Sequence, residues 1–423
     1  MRILLFVLFV SSLSFAQSEF NNYFEKKTLR LNYIHSGNKT DEAFSFGSLI
    51  EEPYWGGPVK KLIDPFNYGK YKLEVFDKTS GKLIYSKYYS TLFSEWQTTK
   101  EALKINKSFE ESVVFPYPKN TVLISISGRK KDLSLEKKYE LEIDPKNYFI
   151  KKDRKNVYPS FQVVNSGDPS EKVDIVIIPE GYTAKEMDQF KKDCSRFAQY
   201  LFNSSPYKEN KAFFNIWGIE APSAQSGTDI PGEKVYVNTV AGTSFYTFDE
   251  ERYLMTEEYN AVRDLAANAP YDQIYILVNT DKYGGGAIYN YYATCVNFNI
   301  YSEYVFVHEF GHAFAFLADE YYTSSTAYND FYPLGVEPLE PNITTLVDFD
   351  SKWKELVKEG TPIPTPATKE NEKKLGAFEG GGYVEKGVYR PKQDCSMNSI
   401  SVDNYCTACK RAIQKMIDYY TGK

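Results

Sequence analysis

The chain has 423 residues, 42% hydrophobic and 25% charged, which suits about two folded domains and excludes a disordered or fibrous protein. Its formal charge is −6, one unit more negative once Arg2 is removed. Basic residues are scattered in pairs such as Lys130-Lys131 and Lys137-Lys138, which argues against nucleic acid as a partner.

Residues 1–16, MRILLFVLFVSSLSFA, carry a lone Arg2, an apolar run from Ile3 to Val10 and small residues at Ser14 and Ala16, the pattern of a cleaved signal peptide. A membrane anchor needs about 20 apolar residues, and this run is broken by serines at roughly half that length. No later segment is apolar enough to span a bilayer. The expectation is a protein secreted, periplasmic or held at the cell surface after cleavage near Ala16, with no transmembrane segment.

From 17 to 150, the runs YKLEVFD (71–77), KLIYSKYY (82–89), TVLISIS (121–127) and KKYELEID (137–144) alternate polar and apolar residues between turn signals such as Thr79-Ser80-Gly81. They predict an antiparallel β-sandwich. Tyrosine, at 36 residues beside 29 phenylalanines, suits such exported β domains and aromatic-lined binding surfaces alike.

The texture changes from 151 to 423. VDIVIIPEGY (173–182) is a short continuous apolar run of the kind buried on both faces of a sheet. Thr183 and Glu186 then form a capping box for a helix to about Phe202. FFNIWGIEA (213–221) and DQIYILVN (272–279) give further buried strands, with a helix over about 249–267 between them, and GGGAIYNYYATCVNFN (284–299) a glycine-rich loop entering another strand. The fold class is multidomain α+β, an N-terminal antiparallel β-sandwich followed by an α/β domain.

VHEFGHAFAFLADEYY (307–322) places two of the chain's three histidines four residues apart. On a helix, His308 and His312 share one face with about 6 Å of rise and can aim both imidazoles at one point. Glu309 sits about 100° round the helix, within reach of a water on a shared metal without being a ligand. This is the H-E-x-x-H arrangement of zinc peptidases, in which zinc activates a water and the glutamate takes its proton. The alternative is a buried helix with two core histidines. A chance match in so histidine-poor a chain is expected on the order of once in a thousand such sequences.

A carboxylate is the expected third ligand, because His35, the remaining histidine, lies in the β domain. On an unbroken helix Asp319 would stand about 10 Å beyond His312, so the chain has to turn back. Metzincin peptidases turn at a glycine three residues past the second histidine, where this chain has Ala315, and Ala318 stands where their third ligand falls. An offset of one favours Asp319 over Glu320, with Asp394, beside Cys395, a distant alternative.

HEFGHAFAFLADEYY, GGYVEKGVYRPKQDCSMN (381–398) and CTAC (406–409) together resemble the M64 peptidase family, often called the IgA peptidase family. The resemblance spans nearly all of the mature chain. It implies a metzincin-like zinc-peptidase domain with Zn2+ held by His308, His312 and Asp319, Glu309 as base, and a protein or peptide substrate, immunoglobulin A-like proteins among the classes the family name offers. Around that site Cys395-Ser396-Met397-Asn398 resembles a Met-turn beneath the metal. The 284–299 strand is where a peptidase lays its edge along the substrate backbone. Tyr389, or else Tyr321 or Tyr322, is placed to donate to the tetrahedral oxyanion.

Five cysteines in an exported chain allow disulfides, and Cys395 joined to Cys406 or Cys409 would fasten the Met-turn segment to a C-terminal helix over about 405–420, leaving Cys194 free. A zinc ribbon would need a second cysteine pair. Asp348 and Asp350 lack the ligand density of a calcium loop and read as a solvated turn. The sequons at Asn38, Asn106, Asn203 and Asn342 are common by chance. Two other classes stay in view: an inactive metal-binding adhesin or glycan-binding protein, from the tyrosine-rich β domain, and an amidase, since zinc-activated water cleaves any amide.

Overall fold

The computed structural model describes residues 19–322, 332–400 and 404–423; the expected signal peptide lies outside them. The N-terminal region forms β1 (Phe24–Gly37), β2 (Glu42–Glu52), β3 (Tyr71–Asp77), β4 (Leu83–Tyr89), β5 (Lys107–Pro118), β6 (Val122–Arg129) and β7 (Leu135–Ile143). These make two antiparallel sheets, β2-β1-β5 and β4-β3-β6-β7. Both sheets bury side chains in one core, Leu29, Leu31 and Phe115 from the first and Leu73, Val75, Ile124 and Ile126 from the second.

The later region is built on a six-stranded sheet of β8 (Ser160–Val164), β9 (Val173–Glu180), β10 (Phe214–Ile219), β11 (Gln273–Val278), β12 (Gly285–Ile288) and β13 (Tyr292–Val296). Its order is β12-β13-β11-β9-β10-β8, the middle four strands parallel and both edges antiparallel. The helices are α1 (Leu92–Trp96), α2 (Met187–Asn203), α3 (Tyr259–Ala266), α4 (Ser302–Ala315) and α5 (Thr407–Tyr420).

Continuous apolar strands need cover on both faces, and they have it. Ile175, Ile177, Tyr275 and Leu277 face α2, α4 and α5, whereas Val176, Ile178, Ile274 and Ile276 face α3. Leu92, Phe93, Trp96 and Phe109 of the N-terminal region belong to that second core, so the sheet's rear face is closed by the β unit itself. Buried Arg30 of β1 ties the two together, reaching Glu52 at 3.1 Å and pairing with Asp264 of α3.

The helix expected over 249–267 begins only at Tyr259. Before it a turn at Thr247–Asp249 leads into a bridged stretch, where Ser244 and Met255 exchange backbone hydrogen bonds and Leu254 N–H donates to Gly285 of β12. A hairpin of β14 (Phe378–Gly381) and β15 (Val384–Arg390) completes the described strands beside the C-terminus of α4.

Candidate metal centre

Helix α4 is buried along most of its length, with His308 and Phe310 buried on opposite sides of it. Between the histidines stands Gly311. A Cβ there would lie 2.8 Å from Tyr405 Oη and 3.2 Å from Met397 Sδ, so the absent side chain is what lets Met397 and Tyr405 close against the helix. The helix stops at Ala315 because Phe316 is left-handed (φ 53°, ψ 35°), its N–H bonded back to His312 and that of Leu317 to Gly311. A left-handed non-glycine costs about 1–2 kcal/mol. The Phe316 ring stacks on Tyr68 of the N-terminal region at 5.6 Å and packs at a tilt against Tyr289 at 4.9 Å, which offsets the cost. The reversal falls one residue after Ala315, and Asp319 follows it.

The turn brings Asp319 back to the histidines. Asp319 Oδ1 lies 3.1 Å from His308 Nε2 and 3.4 Å from His312 Nε2, and the two Nε2 atoms are 3.1 Å apart. Three ligands on a tetrahedral ion with bonds of about 2.0–2.1 Å stand about 3.3 Å from one another. The opposite ring nitrogens are both spoken for: His308 Nδ1 lies 2.9 Å from the Ser396 carbonyl, and His312 Nδ1 is bonded to that of Leu317. A carbonyl accepts only, so each Nδ1 carries the proton and each Nε2 turns a lone pair to the shared point. Asp319 Oδ1, buried, has no hydrogen-bond partner there. These donors fit a cation.

The local field fits one too. Burial opposes charge on His312, but Asp319 and Glu309 outweigh it and lift the imidazole to about 9. Asp319, buried likewise, is held well below the usual carboxylate range by His312 and His308. Glu309, the next residue on the helix, is pushed up by burial, with the two histidines pulling back.

Asp319 is fixed from several sides. Tyr383 Oη donates to its Oδ2, and Gly382 N–H donates to its backbone carbonyl at 2.8 Å. Buried Asn342 clamps the residue before it, accepting from Ala318 N–H at 2.7 Å and donating to the Ala318 carbonyl at 2.8 Å. That engagement leaves the Asn342 sequon no free amide. Glu320, the other near carboxylate, points away from the histidines; its Oε1 lies 3.0 Å from Asn342 Nδ2 and 3.1 Å from Cys409 Sγ. Asp394 caps its own turn, accepting from Cys395 N–H at 3.0 Å.

The remaining expected residues are placed as follows. Met397 lies against Gly311, with its carbonyl accepting from Glu320 N–H at 2.7 Å. β12 is an edge strand beside α4, but at Gly285 its outer side is taken by Arg252 and Leu254. Tyr321 packs edge-on to Tyr383, and the Tyr322 ring lies against Gly380. Tyr389 is not brought to the histidines: alternation along β15 buries Val388 and Arg390 and turns Tyr389 the other way, beside Glu379. Tyr383, in the same quoted segment, reaches Asp319 instead, because the hairpin turn gives it a left-handed backbone (φ 64°).

The expected disulfide is not formed. All five cysteines are free thiols, and Cys395, Cys406 and Cys409 gather at Sγ separations of 3.9 and 3.6 Å from Cys409, far beyond the roughly 2.05 Å of an S–S bond.

Comparison with known families gives a consistent result. The family model described as IgA Peptidase M64 matches residues 161–375 and 367–417, and the one described as Peptidase M64 N-terminus matches residues 19–140. No curated protein matches the chain.

Proposed function

The chain belongs to the IgA peptidase M64 family, and on that premise we propose that it is an exported, zinc-dependent endopeptidase of metzincin-like design acting on proteins outside the cell. The observation that carries this reading is the convergence of His308 Nε2, His312 Nε2 and the partnerless Asp319 Oδ1 on one point, with Glu309 on the same helix. Zinc held by these three residues would supply the Lewis acidity that lowers the pKa of a water and polarises a peptide carbonyl.

The chain's own groups do the rest. Glu309 takes the proton of the attacking water and returns it to the leaving amine nitrogen. The desolvation that raises its pKa favours the protonated form it takes between the two transfers. Ser396 and Leu317, through their carbonyls, hold both imidazoles in the tautomer that presents Nε2. Tyr383 is a positioning residue that fixes the Asp319 carboxylate. Export rests on residues 1–16, and immunoglobulin A-like proteins are one substrate class to try.

The test is digestion of a peptide library by residues 17–423, with Glu309→Ala as the blank and cleavage sites read by mass spectrometry. Cleavage by the wild type alone, abolished by chelation and restored by zinc, is expected. No cleavage by a zinc-loaded wild type would sink the peptidase reading and favour a binding protein.

A further inference from the structure

A second group of ligands adjoins the first, with Glu320 next to Asp319 and Cys395 next to Ser396, whose carbonyl holds His308. Cys395, Cys406, Cys409 and Glu320 are all buried, and one donor atom from each falls within 4.8 Å of all the others. Cys409 Sγ stands 3.9 Å from Cys395 Sγ, 3.6 Å from Cys406 Sγ and 3.1 Å from Glu320 Oε1. Thiolates on a tetrahedral zinc with bonds of about 2.3 Å stand about 3.8 Å apart. We propose that Glu320, Cys395, Cys406 and Cys409 form a closed structural zinc site, separate from the histidine centre and bracing it.

Three observations point to an ion rather than to packing. The thiols are odd in number, so any disulfide among them would strand the third beside a buried carboxylate. Glu320 Oε2 is buried without a hydrogen-bond partner. The charges are also provided for: Cys406 and Cys409 occupy the cap and first turn of α5, a helix of 14 residues whose N-terminus favours negative charge, and Cys406 N–H donates to Cys395 Sγ at 3.1 Å. Three sulfurs and one oxygen suit zinc among the common divalent ions. With four protein ligands and no exposed member, the site has no open position for substrate, which assigns it to structure and not to catalysis.

Its placement explains what it would brace. Glu320 follows Asp319 directly, and Cys395 precedes Ser396, whose carbonyl holds His308. An ion joining Glu320 to Cys395 therefore fixes the two segments that supply the third ligand and the histidine's orientation. Among the described residues, the contacts of these segments with α5 are packing and the polar contacts of the cluster itself, Cys406–Cys395, Cys395–Cys409 and Cys409–Glu320.

The test uses the mature chain and a His308→Ala/His312→Ala variant, which removes the first centre and leaves every thiol in place. Elemental analysis should give about two zinc ions per wild-type chain and about one per variant chain. X-ray absorption of the variant should show zinc–sulfur distances of about 2.3 Å, and its cobalt-substituted form an intense near-ultraviolet thiolate-to-cobalt band. A variant that holds no zinc, zinc with only nitrogen and oxygen neighbours, or a disulfide among these cysteines in the unreduced protein would each overturn the proposal. Failure of the peptidase reading would leave the sulfur-bound zinc in the variant unchanged, so the two outcomes are separable.

Discussion

Asp319 and Glu320 are adjacent in the chain, yet their carboxylates serve opposite clusters, Asp319 Oδ1 3.1 Å from His308 Nε2 and Glu320 Oε1 3.1 Å from Cys409 Sγ. Consecutive side chains of an extended segment point to opposite sides, so one dipeptide forms a wall between two sites. Asp319→Ala should therefore empty the histidine centre and spare the thiol cluster. Loss of an outer-shell partner typically weakens a metal site 10–100-fold, and loss of a ligand should weaken it by more. Competition against a chelator would show this, and full zinc occupancy at the histidines in Asp319→Ala would remove the assignment.

Asn342→Ala should cost activity without touching a proposed ligand of the first centre. The substitution leaves Ala318 N–H, the Ala318 carbonyl and Glu320 Oε1 without their buried partner. Each such loss costs about 1–3 kcal/mol. We expect a lowered melting temperature and zinc affinity weakened about 10–100-fold, the size typical of outer-shell losses. A variant with wild-type zinc affinity would show that the 318–320 segment holds itself.

Gly311→Ala places a methyl group 2.8 Å from Tyr405 Oη and 3.2 Å from Met397 Sδ, inside the segment that carries the Ser396 carbonyl. Alanine normally favours a helix over glycine by about 1 kcal/mol. Here overpacking of about 1–3 kcal/mol should prevail and the protein should lose stability. A rise in melting temperature with unchanged turnover would show that Met397 and Tyr405 yield freely.

What the sequence revealed and what it hid divide along the range of the interactions. The His308 and His312 pair is a local property of one helix, and the need for a reversal before Asp319 follows from helical rise alone. The site of the reversal was hidden because the left-handed residue is Phe316, not a glycine, and its aromatic supports, Tyr68 and Tyr289, are remote in sequence. Tyr383 and Tyr389 sit in one short segment, and only the register and turn of the β14–β15 hairpin decide which reaches Asp319. The thiols suggested a disulfide because their fourth companion, Glu320, stands far ahead of Cys395 in the sequence. β1 escaped notice because its central residues are buried on both faces, which erases the alternation a half-exposed strand displays.

Phe316 also links the N-terminal unit to the site. Tyr68→Ala removes one of the two rings packed on the left-handed residue but leaves its strain. Aromatic pairs contribute about 0.5–1.5 kcal/mol beyond their buried area. Weaker zinc binding is expected in Tyr68→Ala with a small loss of global stability, and Phe316→Gly, which removes the strain with the ring, should be milder than Phe316→Val. Equal zinc affinity in Tyr68→Ala and wild type would show that the β unit leaves the turn alone.

The last histidine gives the N-terminal unit a pH signature. His35 is fully buried between the rings of Phe44 and Phe93, with Nδ1 2.9 Å from Glu111 and Nε2 3.2 Å from Glu42. Burial disfavours its charge, but Glu111 and then Glu42 outweigh burial and raise its pKa. A raised histidine stabilises the fold fully below its unfolded value of about 6.5 and ceases to do so as pH climbs through the folded value. Glu42 runs the other way: burial opposes its charge, His35 and Tyr71 overcome that, and its pKa falls to about 2, so its contribution is present above about 4.5 and fades as pH drops toward 2. The pair therefore favours the fold most between about pH 4.5 and 6.5. Melting temperatures of wild type and His35→Gln, compared from pH 5 to 9 at about half-unit steps, should draw together as pH rises, because only the wild type loses the imidazolium. A wild-type advantage that stays constant over that range would mean that His35 is neutral throughout and that the two glutamates do not hold it charged.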